Sequence, residues 1–103
     1  MAAAGATTLG KIRLVGIPWF NERDYLACRA LMADSELLPL RYSDWLKVVQ
    51  CELEEVLSQG HTPLKVHIEL AKFPAWCRER MLVRDRVARR RYASLIAFQK
   101  MDI

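Results

Sequence analysis

Residues 42–70 read YSDWLKVVQCELEEVLSQGHTPLKVHIEL, and the spacing of their apolar side chains changes midway. In the first part these side chains recur at every third or fourth position, at Trp45, Val49, Leu53 and Val56. This spacing predicts an amphipathic helix, which we expect Ser43 to cap and Gly60 to end. From residue 64 apolar and polar residues alternate through LKVHIEL, which predicts a strand over residues 64–70 with one face exposed to water.

A second strand and a second helix are predicted upstream. KIRLVGI, residues 11–17, is rich in β-branched residues, and the following Pro18 has no N–H for a sheet, so we expect the strand to end there. The next segment begins like a helix, with Asn21 as its cap and Asp24 in the position of a capping box. We expect this helix to run to about Asp34. Its buried stripe is predicted to consist of Tyr25, Cys28, Leu31 and Met32.

Two further helices are predicted after residue 70. The first covers KFPAWCRERM, residues 72–81. Its buried side is expected to include Phe73, Trp76 and either Cys77 or Met81. The second begins near Val83 and continues to the C-terminus. Short similar segments, ACRALM with WCRERM and RYS with RYAS, follow the two predicted strands at similar spacings, which fits either a duplicated βαα unit or chance.

The resulting order is β-α-α-β-α-α. It predicts the α/β (α+β) class, with a small two-stranded sheet, parallel through the helical crossover, packed on four helices. A chain of 103 residues, 52% of them hydrophobic, fits a single domain at residues 11–103 after a flexible leader at residues 1–10. Two strands leave two open edges. We therefore expect a homodimer that could extend the sheet, and a monomer whose helices cover the edges is the alternative.

The arginine-rich segment VRDRVARRRYASLIAFQ, residues 83–99, carries the main functional signal of the sequence. Residues 78–91 hold seven arginines and two acids, whereas the whole chain has a net charge of only +4. Such a stretch can bind phosphate, and five phosphate contacts would give a salt slope of about −4.5. The residues predicted to bind nucleic acid or another anion are Arg84, Arg86, Arg89, Arg90 and Arg91.

Helical spacing gives the same segment a second interpretation. One stripe is apolar or small and would pack on the core, and it consists of Ala88, Tyr92, Leu95, Ile96 and Gln99. Arg86 and Arg90 fall opposite this stripe, so the arginines can equally be the solvated side of a packed helix. No other nucleic-acid motif accompanies them, since RNP aromatics, a GXXG loop and zinc-finger spacing are missing. An acidic protein partner and an anionic lipid are the remaining interpretations.

Catalytic chemistry is poorly supported by the residues available. Cys28, Cys51 and Cys77 are far apart in sequence and form no zinc or disulfide spacing. His61 and His67 have no metal-ligand spacing with a cysteine or with each other, and are interpreted as surface side chains. We therefore predict no catalytic residue, no metal and no cofactor. No apolar run is long enough to span a membrane, and the absence of a secretory signal predicts a cytoplasmic protein.

Aromatic residues near the starts of the predicted elements could meet at one end of the sheet. They are interpreted either as core or as a pocket for a partner, and the candidates are Trp19, Tyr25, Trp45 and Trp76. The sequence thus predicts a non-catalytic protein that works through protein contacts and associates with itself. The alternative is a nucleic-acid-binding protein that uses the arginine-rich helix.

Two segments carry a resemblance to a protein family. GIPWFNERDYLACRALMADSELLPLRYSDWL, residues 16–46, and FPAWC, residues 73–77, resemble small bacterial proteins of about a hundred residues. These carry, in order, Pro-Trp-Phe, Asp-Tyr, Leu-Met-x-Asp, Leu-Pro-x-x-Tyr-x-x-Trp-Leu and Ala-Trp-Cys. The resemblance implies a bacterial cytoplasmic protein and brings no activity, cofactor or site residue with it. The basic RVARRRY segment departs from the shared pattern.

Overall fold

The computed structural model describes residues 13–101. Within this range the elements follow the predicted β-α-α-β-α-α order, with a parallel two-stranded sheet and four helices. In chain order they are β1 (Leu14–Trp19), α1 (Tyr25–Leu31), a 3₁₀ turn (Ser35–Leu37), α2 (Tyr42–Ser58), β2 (Thr62–His67), α3 (Lys72–Glu79) and α4 (Arg86–Met101). The predicted leader and the first two residues of the first predicted strand lie outside the described residues.

The sheet pairs β1 with β2 in parallel, from Leu14 opposite Thr62 to Trp19 opposite His67. The predicted limits of both strands are wrong. β1 continues through Pro18, and β2 begins before the predicted range of 64–70 and ends before it does.

Pro18 and Pro63 lie inside strands because their nitrogen atoms point away from the partner strand. Thr62 donates its N–H to the carbonyl of Arg13 at 2.9 Å. Backbone groups alternate in direction along a strand, so odd residues of β1 and even residues of β2 face each other. Both prolines therefore face outer edges of this pair, where a missing N–H costs no hydrogen bond between the two strands.

Helices α4 and α2 cover opposite faces of the sheet. On one face β1 approaches α4 so closely that a Cβ at Gly16 would overlap the backbone carbonyl of Ala93. On the other face the ring of Trp19 packs against Trp45 of α2, with centroids 5.1 Å apart. Val66 of β2 is buried, whereas its neighbours in the strand are exposed, which confirms the predicted alternation.

Helix α1 begins later than predicted. Its first residue is Tyr25, the three residues before it form a turn, and neither Asn21 nor Asp24 acts as a side-chain cap. Tertiary contacts of Tyr25 set this start, because its hydroxyl donates to the carbonyl of Pro39 at 2.5 Å and its ring packs on Phe20 with centroids 5.5 Å apart. The buried members of the predicted stripe are Tyr25, Cys28 and Met32.

Helix α2 begins at Tyr42, so Ser43 lies inside its first turn and is not the cap. Arg41 occupies the cap position and forms no side-chain cap hydrogen bond. The hydroxyl of Tyr42 donates to the carbonyl of Phe20 at 2.8 Å, and this long-range contact outweighs the local preference for a serine cap. Gly60 follows the helix with φ 81°, as the sequence predicts for a left-handed terminator.

Helix α3 ends at Glu79, and of the two alternatives for its buried side Cys77 is correct. Met81 is 92% exposed and has φ 56°, so it belongs to the turn after the helix. The similar segments after the two strands therefore agree only in part: Cys28 and Cys77 are both buried, but Met32 is buried where Met81 is exposed.

Helix α4 begins at Arg86, three residues later than the predicted start at Val83. Asp85 determines this start, because its Oδ1 accepts the backbone N–H of Ala88 at 3.0 Å. An aspartate in this position satisfies a donor that the first helical turn leaves free. The sequence contains this signal, and the prediction overlooked it.

A candidate protein-binding groove between two helices

Helix α4 packs on the core with a face rotated from the predicted one. Ala88 and Tyr92 are buried and Ile96 is partly buried, as predicted. Leu95 and Gln99 were expected on the same face and are exposed. The remaining buried positions are Arg89, Ala93 and Ala97. Because alanine is small, this face can approach β1 closely, and the close approach determines the rotation of the helix.

Arg89 is not a surface arginine, which corrects its prediction as an anion-binding residue. Its guanidinium donates two hydrogen bonds to the carboxylate of Asp34, at 2.8 and 2.9 Å. The side chains are only 7% and 14% exposed. The hydrogen bonds from Arg89 hold the pKa of Asp34 below its usual range, although burial acts in the opposite direction. This guanidinium already has an internal carboxylate and is not available to a phosphate.

Arg84 is also used within the fold, although it is exposed. Its Nε donates to the carbonyl of Leu31, the last residue of α1, at 2.6 Å. The carbonyl of Arg84 in turn accepts the N–H of Ala33 at 2.7 Å. Together with the pair formed by Arg89 and Asp34, these contacts attach the start of α4 to the end of α1. Two of the five predicted arginines therefore have a structural role.

The other three predicted arginines, Arg86, Arg90 and Arg91, are exposed. Two of them line a groove between α3 and α4, which we call the α3–α4 groove, with a volume of about 750 Å³. The residues that line it are Trp76, Arg80, Val87, Arg90, Arg91, Ser94, Leu95 and Phe98. This set contains three arginines and no acid.

Three apolar side chains of α4 line the α3–α4 groove and are accessible to solvent. Val87 is 65% exposed and Phe98 is 68% exposed, and both lie on the side of α4 that faces away from the core. Leu95, 36% exposed, lies beside them. Exposed apolar side chains grouped in this way are typical of interaction surfaces. The prediction missed Val87 and Phe98, although their spacing of eleven positions places them on one side of a helix.

Arg80 and Trp76 form the α3 wall of the groove. The guanidinium of Arg80 lies over the indole ring of Trp76, 4.7 Å from its centroid, and its Nη1 donates to the backbone carbonyl of Trp76 at 3.2 Å. Glu79 lies 3.4 Å from the same guanidinium and offsets part of its charge. Arg80 was not among the predicted site residues, because the sequence does not show that the end of α3 lies beside α4.

Three of the four candidate aromatic residues belong to the core, so their interpretation as partner contacts is wrong. Trp19, Tyr25 and Trp45 are 9%, 1% and 5% exposed. They pack with Phe20 and Tyr42 at the end of β1, with ring centroids between 5.1 and 5.9 Å apart. The predicted meeting of aromatic residues at one end of the sheet therefore occurs, but it fills the core. Of the four candidates, only Trp76 reaches a groove.

A second cleft, with a volume of about 770 Å³, lies between β2 and the last turns of α4. Its apolar floor includes Leu64 and Ile96, and its rim carries lysines. One of them, Lys65, lies over the ring of Trp19 at 4.2 Å, and another, Lys72, pairs with Glu69 at 3.7 Å. Lys100 also lines the cleft, which has mixed charge because Glu69 lies among the three lysines. It gives a weaker indication of a ligand than the α3–α4 groove.

No cysteine or histidine is among the described residues that line the α3–α4 groove. Burial raises the pKa of the Cys28 and Cys77 thiols, which keeps them protonated and poorly nucleophilic. His61 accepts the backbone N–H of Arg13 at 3.3 Å, and His67 is exposed. Among residues 13–101 no group of three or more His, Cys, Asp or Glu side chains could hold a metal ion. Of the helices in this range, none is long and apolar enough to cross a membrane.

Comparison of the chain with models of known families, with curated proteins and with solved structures finds no match. The resemblance to small bacterial proteins, and the origin that it implies, therefore stay predictions. Function is accordingly inferred from the chemistry of the surface alone.

Proposed function

We propose that this protein is a non-catalytic protein-binding module that binds its partner in the α3–α4 groove. The observation that carries this proposal is the exposure of Phe98, at 68%, in a groove that Val87 and Trp76 also line. A phenylalanine left in water on a helix whose other face is fully packed does not contribute to the core. Covering it with a partner would remove a large apolar area from water, and aromatic residues with arginine are the residue types that dominate binding energy at interfaces.

The groove supports a protein partner better than a nucleic acid. Arg86, Arg90 and Arg91 are the exposed members of the predicted phosphate-binding set, so the salt slope expected for phosphate binding falls to about −2.7. Val87 and Phe98, the most exposed apolar side chains that line the groove, offer no hydrogen bond to a phosphate or to a base edge. Nucleic-acid binding is kept as the alternative, because three exposed arginines on one helix are compatible with it.

The predicted homodimer finds less support than a different partner does. Two-fold pairing of the α3–α4 groove would place Arg80, Arg90 and Arg91 of one copy near the same residues of the other, and like charges at an interface oppose association. Extension of the sheet would use edges that contain Pro18 or Pro63, and proline on an edge strand discourages strand addition. Self-association stays a prediction that light scattering on the full chain can test.

As part of the same proposal, we expect the protein to bind its partner in the cytoplasm. All three cysteines are free, and Cys51 is exposed on α2. Unpaired cysteines, one of them exposed, fit a reducing compartment better than an oxidising one. Fractionation of cells, followed by detection with an antibody, would test this location.

A peptide-display experiment tests the proposed function even though the partner is unidentified. A library of random peptides is selected on the immobilised full chain, and the affinity of each enriched peptide is then measured for the wild type and for the Phe98→Ala variant. We expect the enriched peptides to carry apolar residues at helical spacing and to lose at least tenfold in affinity for that variant. Leu40→Ala is the matched control, since Leu40 is 69% exposed and lies outside the groove. Failure to enrich any peptide, or equal binding to the wild type and to Phe98→Ala, would refute the proposal.

A further inference from the structure

The α3–α4 groove combines exposed apolar side chains with arginines, and this combination restricts its partner. Val87, Leu95 and Phe98 provide the apolar surface, whereas Arg90 and Arg91 contribute two guanidinium groups from α4. Arg80 adds a third from the α3 side. None of the residues that line the groove is acidic, so nothing within it neutralises Arg90 or Arg91.

The distance between the exposed apolar side chains Val87 and Phe98 matches the length of a short helix. Val87 and Phe98 are separated by about three helical turns, or roughly 16 Å at 1.5 Å per residue. An amphipathic helix of about 12 to 16 residues covers such a distance with apolar anchors at positions i, i+3 or i+4, i+7 and i+11. Residues that flank this apolar stripe on the bound helix would then lie beside the arginines.

We propose that the partner is an acidic amphipathic α-helix of another protein, whose apolar stripe packs on Val87 and Phe98 and whose flanking carboxylates pair with Arg90 and Arg91. The proposal rests on the proposed function of the same groove. Charge complementarity selects this occupant. A second copy of the chain would bring arginines to arginines, and a nucleic-acid duplex, whose bases are already stacked on one another, would leave Phe98 without an apolar contact. Carboxylates satisfy the guanidinium groups and can do so in bidentate geometry.

Three labelled peptides of about 16 residues test the role of charge. They share leucine and phenylalanine anchors at helical spacing, and their flanking positions are all glutamate, all glutamine or all lysine. Binding to the full chain is measured by fluorescence anisotropy at about 50 and about 200 mM salt. We expect the glutamate peptide to bind at least tenfold more tightly than the glutamine peptide and the lysine peptide to bind most weakly. The advantage of the glutamate peptide shrinks at the higher salt concentration.

Matched variants locate the interaction. The double substitution Arg90→Glu/Arg91→Glu is expected to lower the affinity for the glutamate peptide at least tenfold and to leave the affinity for the glutamine peptide nearly unchanged. Arg23→Glu/Arg41→Glu is the control, because it changes the net charge equally at two exposed arginines outside the groove. Phe98→Ala should weaken the glutamate and glutamine peptides alike. Circular-dichroism melts show whether each variant keeps the fold.

The outcomes separate this inference from the proposed function. If the glutamate and glutamine peptides bind equally and both bind more weakly to the Phe98→Ala variant, the proposal of an acidic partner is wrong and the proposal of a protein-binding groove stands. If no peptide binds while a mixed-sequence DNA duplex or a single-stranded RNA binds and loses affinity in Arg90→Glu/Arg91→Glu, both proposals are wrong. Absence of binding to every probe overturns both as well.

Discussion

Arg89 and Asp34 form the most buried ion pair among the described residues. Replacing Arg89 with methionine removes the positive charge of this pair and keeps most of the side-chain volume. The guanidinium and the carboxylate of Asp34 are 7% and 14% exposed, and they share hydrogen bonds of 2.8 and 2.9 Å. The pair joins α4 to the segment after α1, between residues 55 positions apart in sequence. Arg89→Met therefore leaves a largely buried carboxylate without its main partner.

The expected loss of stability follows from these contacts. Removing one member of a buried pair typically costs about 3 to 5 kcal/mol, because the other charge stays buried and unpaired. Asp34 keeps some contact with water, so we expect the lower end, about 3 kcal/mol. For a domain of this size about 1 kcal/mol changes Tm by roughly 4 to 8 °C. Arg89→Met should then lower Tm by about 12 to 24 °C.

The pH dependence has a definite sign. Because the pKa of Asp34 is lowered in the folded state, its contribution to stability is complete above the unfolded value of about 3.9. That contribution disappears as the pH falls through the lower folded pKa. The difference in stability between the wild type and Arg89→Met should therefore be largest near neutral pH and should decrease below about pH 4.

Urea unfolding followed by circular dichroism measures both effects. Arg91→Met is the control, since it makes the same chemical change at an exposed position and should change the free energy of unfolding by less than about 0.5 kcal/mol. A double-mutant cycle with Asp34→Ala isolates the coupling between the two side chains. The reasoning is refuted if Arg89→Met is as stable as Arg91→Met, or if its deficit is the same at pH 7 and below pH 4.

Substitutions at Gly16 and Asp85 and chemical modification of the cysteines test three further features of the fold. Gly16→Ala should destabilise the protein by about 3 kcal/mol, because its Cβ would overlap the carbonyl of Ala93, and a denaturant midpoint near that of the wild type would contradict this. Asp85→Ala removes the acceptor for the N–H of Ala88 and should cost about 1 kcal/mol in thermal unfolding, a loss that Asp85→Ser should largely restore. Cys51 should react with a thiol reagent in the folded state, whereas the other two cysteines, which are buried, should react only after unfolding. Rapid modification of Cys28 or Cys77 in the folded state would contradict the burial of these two thiols.

The functional proposals depend on a surface that the sequence displays only in part. The arginines stand out in composition, and the prediction gave all five the same candidate role. The structure divides them: Arg84 and Arg89 hold α4 against α1, while Arg90 and Arg91 line the groove. Charge density along the chain cannot make this division, because it depends on which acceptors lie opposite each side chain in space.

Local periodicity accounts for the parts of the fold that were predicted correctly. Helix α2 carries a single apolar stripe, and β2 alternates around the buried Val66, so each pattern has one orientation that buries its apolar side chains. Gly60 follows the end of α2 in the left-handed conformation, with φ 81°, and glycine adopts this conformation more readily than other residues. The element order follows from these segments, and the parallel pairing is consistent with them, because parallel strands need a long crossover such as the helical connection between β1 and β2.

Helix boundaries and strand limits were predicted less well, since long-range contacts compete with local preferences. Tyr42 enters the first turn of α2 because its hydroxyl reaches the carbonyl of Phe20, and Ser43 loses the role of cap. Pro18 stays within β1 because its nitrogen faces an outer edge of the strand pair, a direction that is defined only once β2 lies on the other side.

By itself the sequence determined the order of the elements, the parallel sheet and the concentration of positive charge near the C-terminus, because periodicity and charge are local properties of a chain. Only the tertiary structure decided the rotation of α4. This helix has apolar residues on two sides, and the close fit of Ala93 against Gly16 selects the side that is buried. That selection leaves Val87 and Phe98 in solvent beside exposed arginines, and so it creates the surface on which the proposed function rests.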